Sequence, residues 1–389
     1  MEKFQSVIDK VRELYGKDRD FIPLHEPLFI GNEKKYLNEC IDSTFVSYVG
    51  EFVGRFEQMV ANYTGSKHAI AVVNGTSALH LALVTSGVQQ NDIVVTQALS
   101  FAATANGIMY TGAEPYFIDV DRHTLGMSPD ALRTFLNDVK LIDGTATYVP
   151  TGQKVGAIVP MHTFGFPCEI EAIVELANEY NIPIVEDSAE SLGSTKNGKH
   201  TGTFGKMGIY SFNGNKSITC GGGGMIVTDD AALAARAKHL STQAKVPHKW
   251  EYQHDHVGYN YRCPNINAAI GCAQMETIES FIEDKRKTAA RYADFFRNEK
   301  IEYLTEPENC RSNYWLNSIL LQTVEDRNAF LETTNSNGVM TRPAWTLLHR
   351  LEYIKDAKHG NLENSIFIEQ RLVNIPSSVR VQIINAYIN

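Results

Sequence analysis

Between residues 68 and 245 the chain alternates short apolar runs with helix-patterned segments. This alternation restricts the fold more than any other feature. HAIAVV (68–73) reads as a strand, and TSALHLALVTSG as the helix that follows it. IVVT (93–96), PYFIDVD (115–121) and VGAIVP (155–160) read as further strands. In EIEAIVELANEY (169–180), Ile170, Ile173, Val174 and Ala177 fall at i, i+3, i+4 and i+7, the stripe of an amphipathic helix. IPIVED (182–187), MGIYSF (207–212) and GMIVT (224–228) complete the strand set, and Asp229 is placed to cap the helix DAALAARAKHL. Strands alternating with helices imply βαβ units and a mostly parallel sheet covered on both faces. Ligands of such sheets gather at the carboxyl ends of the strands.

The pattern changes after residue 260. A long helical stretch (264–299), the strand-like WLNSILLQ (315–322), the helical EDRNAFLETTNSNG and a short extended VMTRP predict a second, smaller α/β domain. The expected division is 1–263 for the large domain and 264–389 for the smaller one. A formal net charge of −9 argues against broad binding to nucleic acid or anionic membranes. No stretch approaches the roughly 20 apolar residues of a membrane helix. MEKFQSVIDKVRELYGK at the start lacks the apolar centre of a signal peptide. A cytoplasmic protein is expected, with six scattered cysteines held reduced and mostly buried. No metal site is expected, because His254, His256 and Cys263 match no common ligand spacing.

Three residue groups directly follow predicted strands. Asn74-Gly75-Thr76-Ser77 offers free backbone N–H groups, two hydroxyls and the positive end of a helix, a combination that suits phosphate and equally suits a plain N-cap. Asp187 ends IPIVED; a buried acid there needs a cationic partner such as a protonated pyridine, or serves as a cap or structural ion pair. Lys216, in Ser211-Phe-Asn-Gly-Asn-Lys216, lies between an aromatic strand and four glycines, Gly221 to Gly224. Most lysines are solvated surface groups, but this flank suggests tight packing. A lysine whose pKa shifts readily is suited to a Schiff base, and Ser211, five residues upstream, could hold the phosphate of the same ligand. Gly214-Asn215-Lys216-Ser217 resembles a Walker A ending but lacks Gly directly before the lysine. Nor does the glycine run open a helix in dinucleotide-binding form. A phosphate cradle, an acid and a lysine on one sheet edge match the three handles of pyridoxal phosphate (PLP): phosphate, ring nitrogen and aldehyde.

With these residues in view, the chain resembles the DegT/DnrJ/EryC1/StrS sugar aminotransferases, fold-type I PLP enzymes, over roughly residues 22–380. NGTSALHLAL (74–83), LSFAATANGI (99–108), VEDSAESLGS (185–194), YSFNGNKSITCGGGGM (210–225) and GYNYRCPNINAAIG (258–271) carry the resemblance. It implies a seven-stranded-type sheet, phosphate contacts from Gly75, Thr76, Ser77 and Ser211, and stacking of Phe101 on the cofactor ring. It also implies Asp187 on the ring nitrogen and a covalent bond to Lys216. It further implies an obligate homodimer in which Asn260 reaches the phosphate from the partner subunit. Glu190 departs from the pattern: the family usually has Gln or His there, against the cofactor's O3′ region. FVSYVGEFVGRFE (45–57) and TRPAWTLLHR (341–350) are most similar to the subgroup that aminates C4 of UDP-linked 4-keto-6-deoxy-N-acetyl sugars of the legionaminic acid and bacillosamine type, with L-glutamate as donor. Such an enzyme serves bacterial surface glycans. For the substrate, Arg262 and Arg342 are candidates for the diphosphate, and Tyr314, Trp315 and His349 for the sugar or base. The alternatives are a 3-keto sugar aminotransferase, a PLP-dependent sugar dehydratase, in which a histidine replaces the lysine, and a non-catalytic regulatory protein on the same fold.

Overall fold

The computed structural model describes residues 3–380. The last nine positions of the expected smaller domain therefore lie outside the described residues. Seven strands form the central sheet: β1 (His68–Val72), β2 (Ile93–Gln97), β3 (Glu114–Ile118), β4 (Gln153–Val159), β5 (Val185–Asp187), β6 (Met207–Ser211) and β7 (Gly224–Thr228). Their order is β1-β7-β6-β5-β4-β2-β3. The β5–β4 junction is made by single parallel bridges, Ile158 to Ile184 and Met161 to Asp187. All neighbours are parallel except β7, which runs antiparallel to both β1 and β6. The mostly parallel α/β sheet read from the sequence is the one observed.

Alternation along each strand builds two cores. Val94 faces one side of β2, with the buried helix Gly75–Ser86, whereas Ile93 and Val95 face the other side with helix Ile170–Glu179. The capping expectation shifts by one residue. Asp230, not Asp229, accepts the N–H groups of Ala232 and Leu233, while Asp229 accepts the N–H of Lys67. Likewise the helix after β1 is capped by the Asn74 side chain, which accepts from Ser77 N at 2.8 Å. Thr76 and Ser77 stand inside that helix.

The second sheet is antiparallel and contains Glu302–Tyr303, Asn317–Leu320, Leu372–Ile375 and Arg342–Pro343 in spatial order. Phe4 and, from the N-terminal helix Gln5–Tyr15 that follows it, Val7, Ile8, Val11 and Leu14 share a core with Tyr292, Phe296, Phe330 and Val373 of this region. In space the chain's start thus belongs with its C-terminal part, not with the large domain that the 1–263 division assigned it to. Its apolar stripe has no place on the central sheet, whose faces are already covered. The long helical stretch breaks at Glu276–Thr277 into Asn265–Met275 and Ile278–Phe296. The first piece packs against helix Glu51–Thr64 and the large-domain core. Five of the six cysteines are buried, none forms a disulfide among the described residues, and no helix there is long and apolar enough to cross a membrane.

Candidate active site

The carboxyl ends of β5 and β6 meet the N-terminus of helix Gly75–Ser86 around a cavity of about 330 Å³. Gly75, Thr76, Phe101, Asp187, Glu190, Ser211, Lys216 and Trp315 all line it. Two clefts of about 430 and 450 Å³ lie at the opposite ends of the strands, around Thr228 and around Ile184, and contain none of these residues.

Close backbone approach builds the cradle. A Cβ on Gly75 would meet the Cβ of Ser211 at 2.9 Å, and one on Gly224 would meet the carbonyl oxygen of Asn74 at 2.3 Å. Glycine at both positions lets the helix terminus sit against β6 and β7. Asn74 satisfies Ser77 N, which leaves the first N–H groups of the helix directed at the cavity beside the Ser211 hydroxyl. Such a terminus favours an anion.

Asp187 is buried, and its two partners are both neutral. Thr104 Oγ1 donates to Oδ2 at 2.7 Å, and Ala189 N donates to Oδ1 at 3.2 Å. Burial pushes the carboxyl up from its ordinary range, and the Thr104 hydrogen bond opposes this. Such a carboxylate lacks a cationic partner and suits a protonated ring nitrogen.

Lys216 sits in the turn after β6, where its N–H bonds to the Asn213 carbonyl at 3.0 Å. Its side chain is 13% exposed. Nζ lies 3.1 Å from Glu190 Oε1 and 4.1 Å from the centre of the Trp315 ring. Glu190 is itself buried, with Oε2 accepting the N–H of Phe164 at 2.9 Å. Phe164 is held at φ 56°, in the left-handed region. Burial raises the Glu190 carboxyl to about 7, against the lowering effect of Lys216.

The other candidates are placed differently. Ser77 is buried inside the helix and does not line the cavity. Tyr314 is a core residue: its hydroxyl accepts the N–H of Glu306 and its ring meets Phe166 edge-on. The neighbouring Trp315 takes the cavity side: Tyr314 is held at φ 47°, in the left-handed region, so the chain turns between the two rings. His349 packs on His359, away from the cavity. Arg342 lines an adjoining cavity of about 470 Å³ that shares Asn215, Trp315 and Trp345 with the first. Asn260 and Arg262 are not among the lining residues; Arg262 donates to Asn260 Oδ1 and stacks on Tyr48 at 3.7 Å. Trp345, Thr104, Asn215 and Asn313 escaped the sequence reading. Trp345 lies three residues past Arg342, and Thr104 three past Phe101, so each sits within a segment already singled out. Asn313 donates to the carbonyls of Glu190 and Leu192 and accepts the N–H of Trp315, so it ties the two loops together.

The model of the DegT/DnrJ/EryC1/StrS aminotransferase family matches residues 29–383. A GDP-perosamine synthase of Escherichia coli O157:H7 is 38% identical over 359 residues, covering 92% of this chain and 93% of the relative. A Bacillus subtilis relative, 37% identical over 329 residues, covers 84% of this chain and 82% of its own length, and carries "pyridoxal phosphate-dependent aminotransferase" in its name. Among solved structures, the aminotransferase TlmJ from Streptoalloteichus hindustanus superposes with a TM-score of 0.83 at 26% identity, covering 92% of this chain and 93% of that one. The nucleotide printed in the perosamine synthase name is GDP, so the similarity to UDP-sugar enzymes gains no support from it.

Proposed function

For a chain that belongs to the DegT/DnrJ/EryC1/StrS aminotransferase family, and is thus a PLP-dependent sugar aminotransferase, we propose amino transfer from L-glutamate to C4 of a nucleotide-linked 4-keto-6-deoxy sugar. The observation that carries this reading is the meeting of Lys216, Asp187 and the open helix terminus at Gly75 around one cavity. These residues fit the cofactor: the helix terminus and Ser211 would hold its phosphate, Asp187 its ring nitrogen, Phe101 its ring face and Lys216 its aldehyde carbon. When bound, the cofactor supplies an electron sink for the bond to hydrogen at the reacting carbon. Lys216, as a free amine, would move the proton at that carbon. Asp187 would keep the ring nitrogen of the bound cofactor protonated. The lysine also speaks against the dehydratase reading, which needs a histidine there.

For the nucleotide, the name of the Escherichia coli relative favours GDP, while the segments 45–57 and 341–350 favour UDP and an N-acetyl sugar. Arg342 and Trp345 line the adjoining cavity, where a sugar or its diphosphate has room. Arg262 and Asn260 act in the site of the other subunit of a homodimer. Exposed Phe45, Val46, Tyr48 and Val49 support such an interface. A cytoplasmic enzyme serving surface-glycan synthesis follows from this reading.

The test is incubation with glutamate and a panel of GDP- and UDP-linked keto sugars, followed by identification of products by mass and NMR. A 4-amino product from one nucleotide series is expected. Exclusive 3-amination, or loss of water without amination, would replace this reading by one of its alternatives.

A further inference from the structure

Glu190 is the residue that the resemblance leaves unexplained. Its carboxyl is enclosed, and each oxygen has one fixed partner: Lys216 Nζ at 3.1 Å and the backbone N–H of Phe164 at 2.9 Å. Lys216 is its only ion-pair partner among the described residues. The like charge that acts on it is Asp187, at the end of β5. From the N-terminal segment His25 faces Lys216, and burial, Lys285 and Lys216 hold that imidazole well below its ordinary range, so it brings no competing positive charge. His162 faces Asp187 from the loop after β4. The carboxylate is therefore balanced by a single ammonium, and that ammonium belongs to the amine that must lose its charge to react.

We propose that Glu190 is the proton partner of Lys216: it takes the lysine's proton when the amine bonds to an aldehyde, holds it while the freed amine carries the substrate's proton, and returns it when that half of the reaction is complete. This rests on the reading of Lys216 given above. One N–H bond of the ammonium breaks and one O–H bond forms on Glu190 Oε1. The freed lone pair attacks the aldehyde carbon, and the aldehyde oxygen leaves as water with the two remaining amine hydrogens. Nothing is oxidised or reduced. The transfer follows from the geometry. Once Lys216 carries no charge, the enclosed carboxylate has lost its counter-ion, and protonation is its only route to neutrality. Glu190 acts through Lys216 and is a positioning residue.

Infrared difference spectra of cofactor-free protein before and after addition of PLP, at neutral pH, test this directly. A carboxylic-acid band gained and a carboxylate band lost are expected for wild type, and no such pair for Glu190→Gln. Gln keeps the side chain's shape and an acceptor for Phe164 N–H, and an unchanged melting temperature would confirm that it folds. Pyridoxamine phosphate, which cannot bond to Lys216, should leave Glu190 ionised in wild type, and this control stands even without the variant. Identical difference spectra for wild type and Glu190→Gln, or an ionised Glu190 after linkage, overturn the proposal. Failure of borohydride to trap PLP on Lys216 in wild type would instead overturn the assignment of Lys216, a separately readable result.

Discussion

Lys285 and Lys216 are both largely withdrawn from water, and their surroundings differ in kind. Lys285 lies in helix Ile278–Phe296, fully enclosed, with Nζ donating to the backbone carbonyls of Trp315 and Ser377. Lys216 lies on a turn at a sheet edge, slightly exposed, facing a cavity, with a carboxylate beside it. Burial pushes Lys285 down to about 7, and Asp284 only partly opposes this. An altered proton affinity alone would therefore select Lys285, not the lysine proposed to react. Access, a neighbouring carboxylate and a nearby anion cradle set Lys216 apart. Lys285 instead clamps the loop carrying Trp315, the residue whose ring rests on Lys216.

The comparison can be broken most decisively at Lys216. Lys216→Ala should abolish turnover and borohydride trapping, whereas Lys285→Met should retain trapped cofactor on Lys216; a label on Lys285 would reverse the two roles. Next in size, Asp187→Asn should lower turnover by about a thousandfold, the scale on which a single electrostatic partner of a reacting group acts, with the fold intact by circular dichroism. A near-normal turnover number would remove Asp187 from its place under the ring. For Lys285 the sign follows from proton counting. The folded lysine loses its proton near 7 and the unfolded one near 10.5, so the unfolded chain binds more protons across that window. Stability should then rise as pH goes from 7 to 9, by about 2–3 kcal/mol relative to Lys285→Met. Denaturant unfolding at the two pH values measures this, and parallel behaviour of both proteins would show that the wild-type lysine is not strained by burial. The smallest effect is expected for Gly75→Ala. Its Cβ would press on Ser211, costing about 1–3 kcal/mol and weakening cofactor affinity, read by equilibrium dialysis, more than it lowers the melting temperature.

The sheet and its order of helices were readable from residues 68–245 because apolar runs of strand length report burial directly. Asp187 and Lys216 were readable for a related reason. Asp187 ends such a run and Lys216 lies in the turn that follows another, at the carboxyl edge of the sheet. Tyr314 and Trp315 show where this stopped. Both are bulky, aromatic and adjacent, and local sequence cannot say which faces the ligand and which the core. His349 and Arg342 fall in one ten-residue segment, yet only Arg342 borders a cavity. The exchange of cap roles between Asp229 and Asp230, and Asn74's capture of Ser77 N, depended on single-residue offsets that propensity does not resolve.

Periodicity and the residues that end each strand determined the α/β architecture and placed the proposed lysine and acid at the carboxyl edge of the sheet, because these are local properties of the chain. The tertiary structure decided the rest. It packed the N-terminal helix against the C-terminal region, chose Trp315 over Tyr314, and set Glu190 within 3.1 Å of Lys216 across 26 residues of sequence. The physical reason is that an ion pair in a closed space depends on the distance between two side chains and on the water excluded around them. Neither quantity is a property of any one segment.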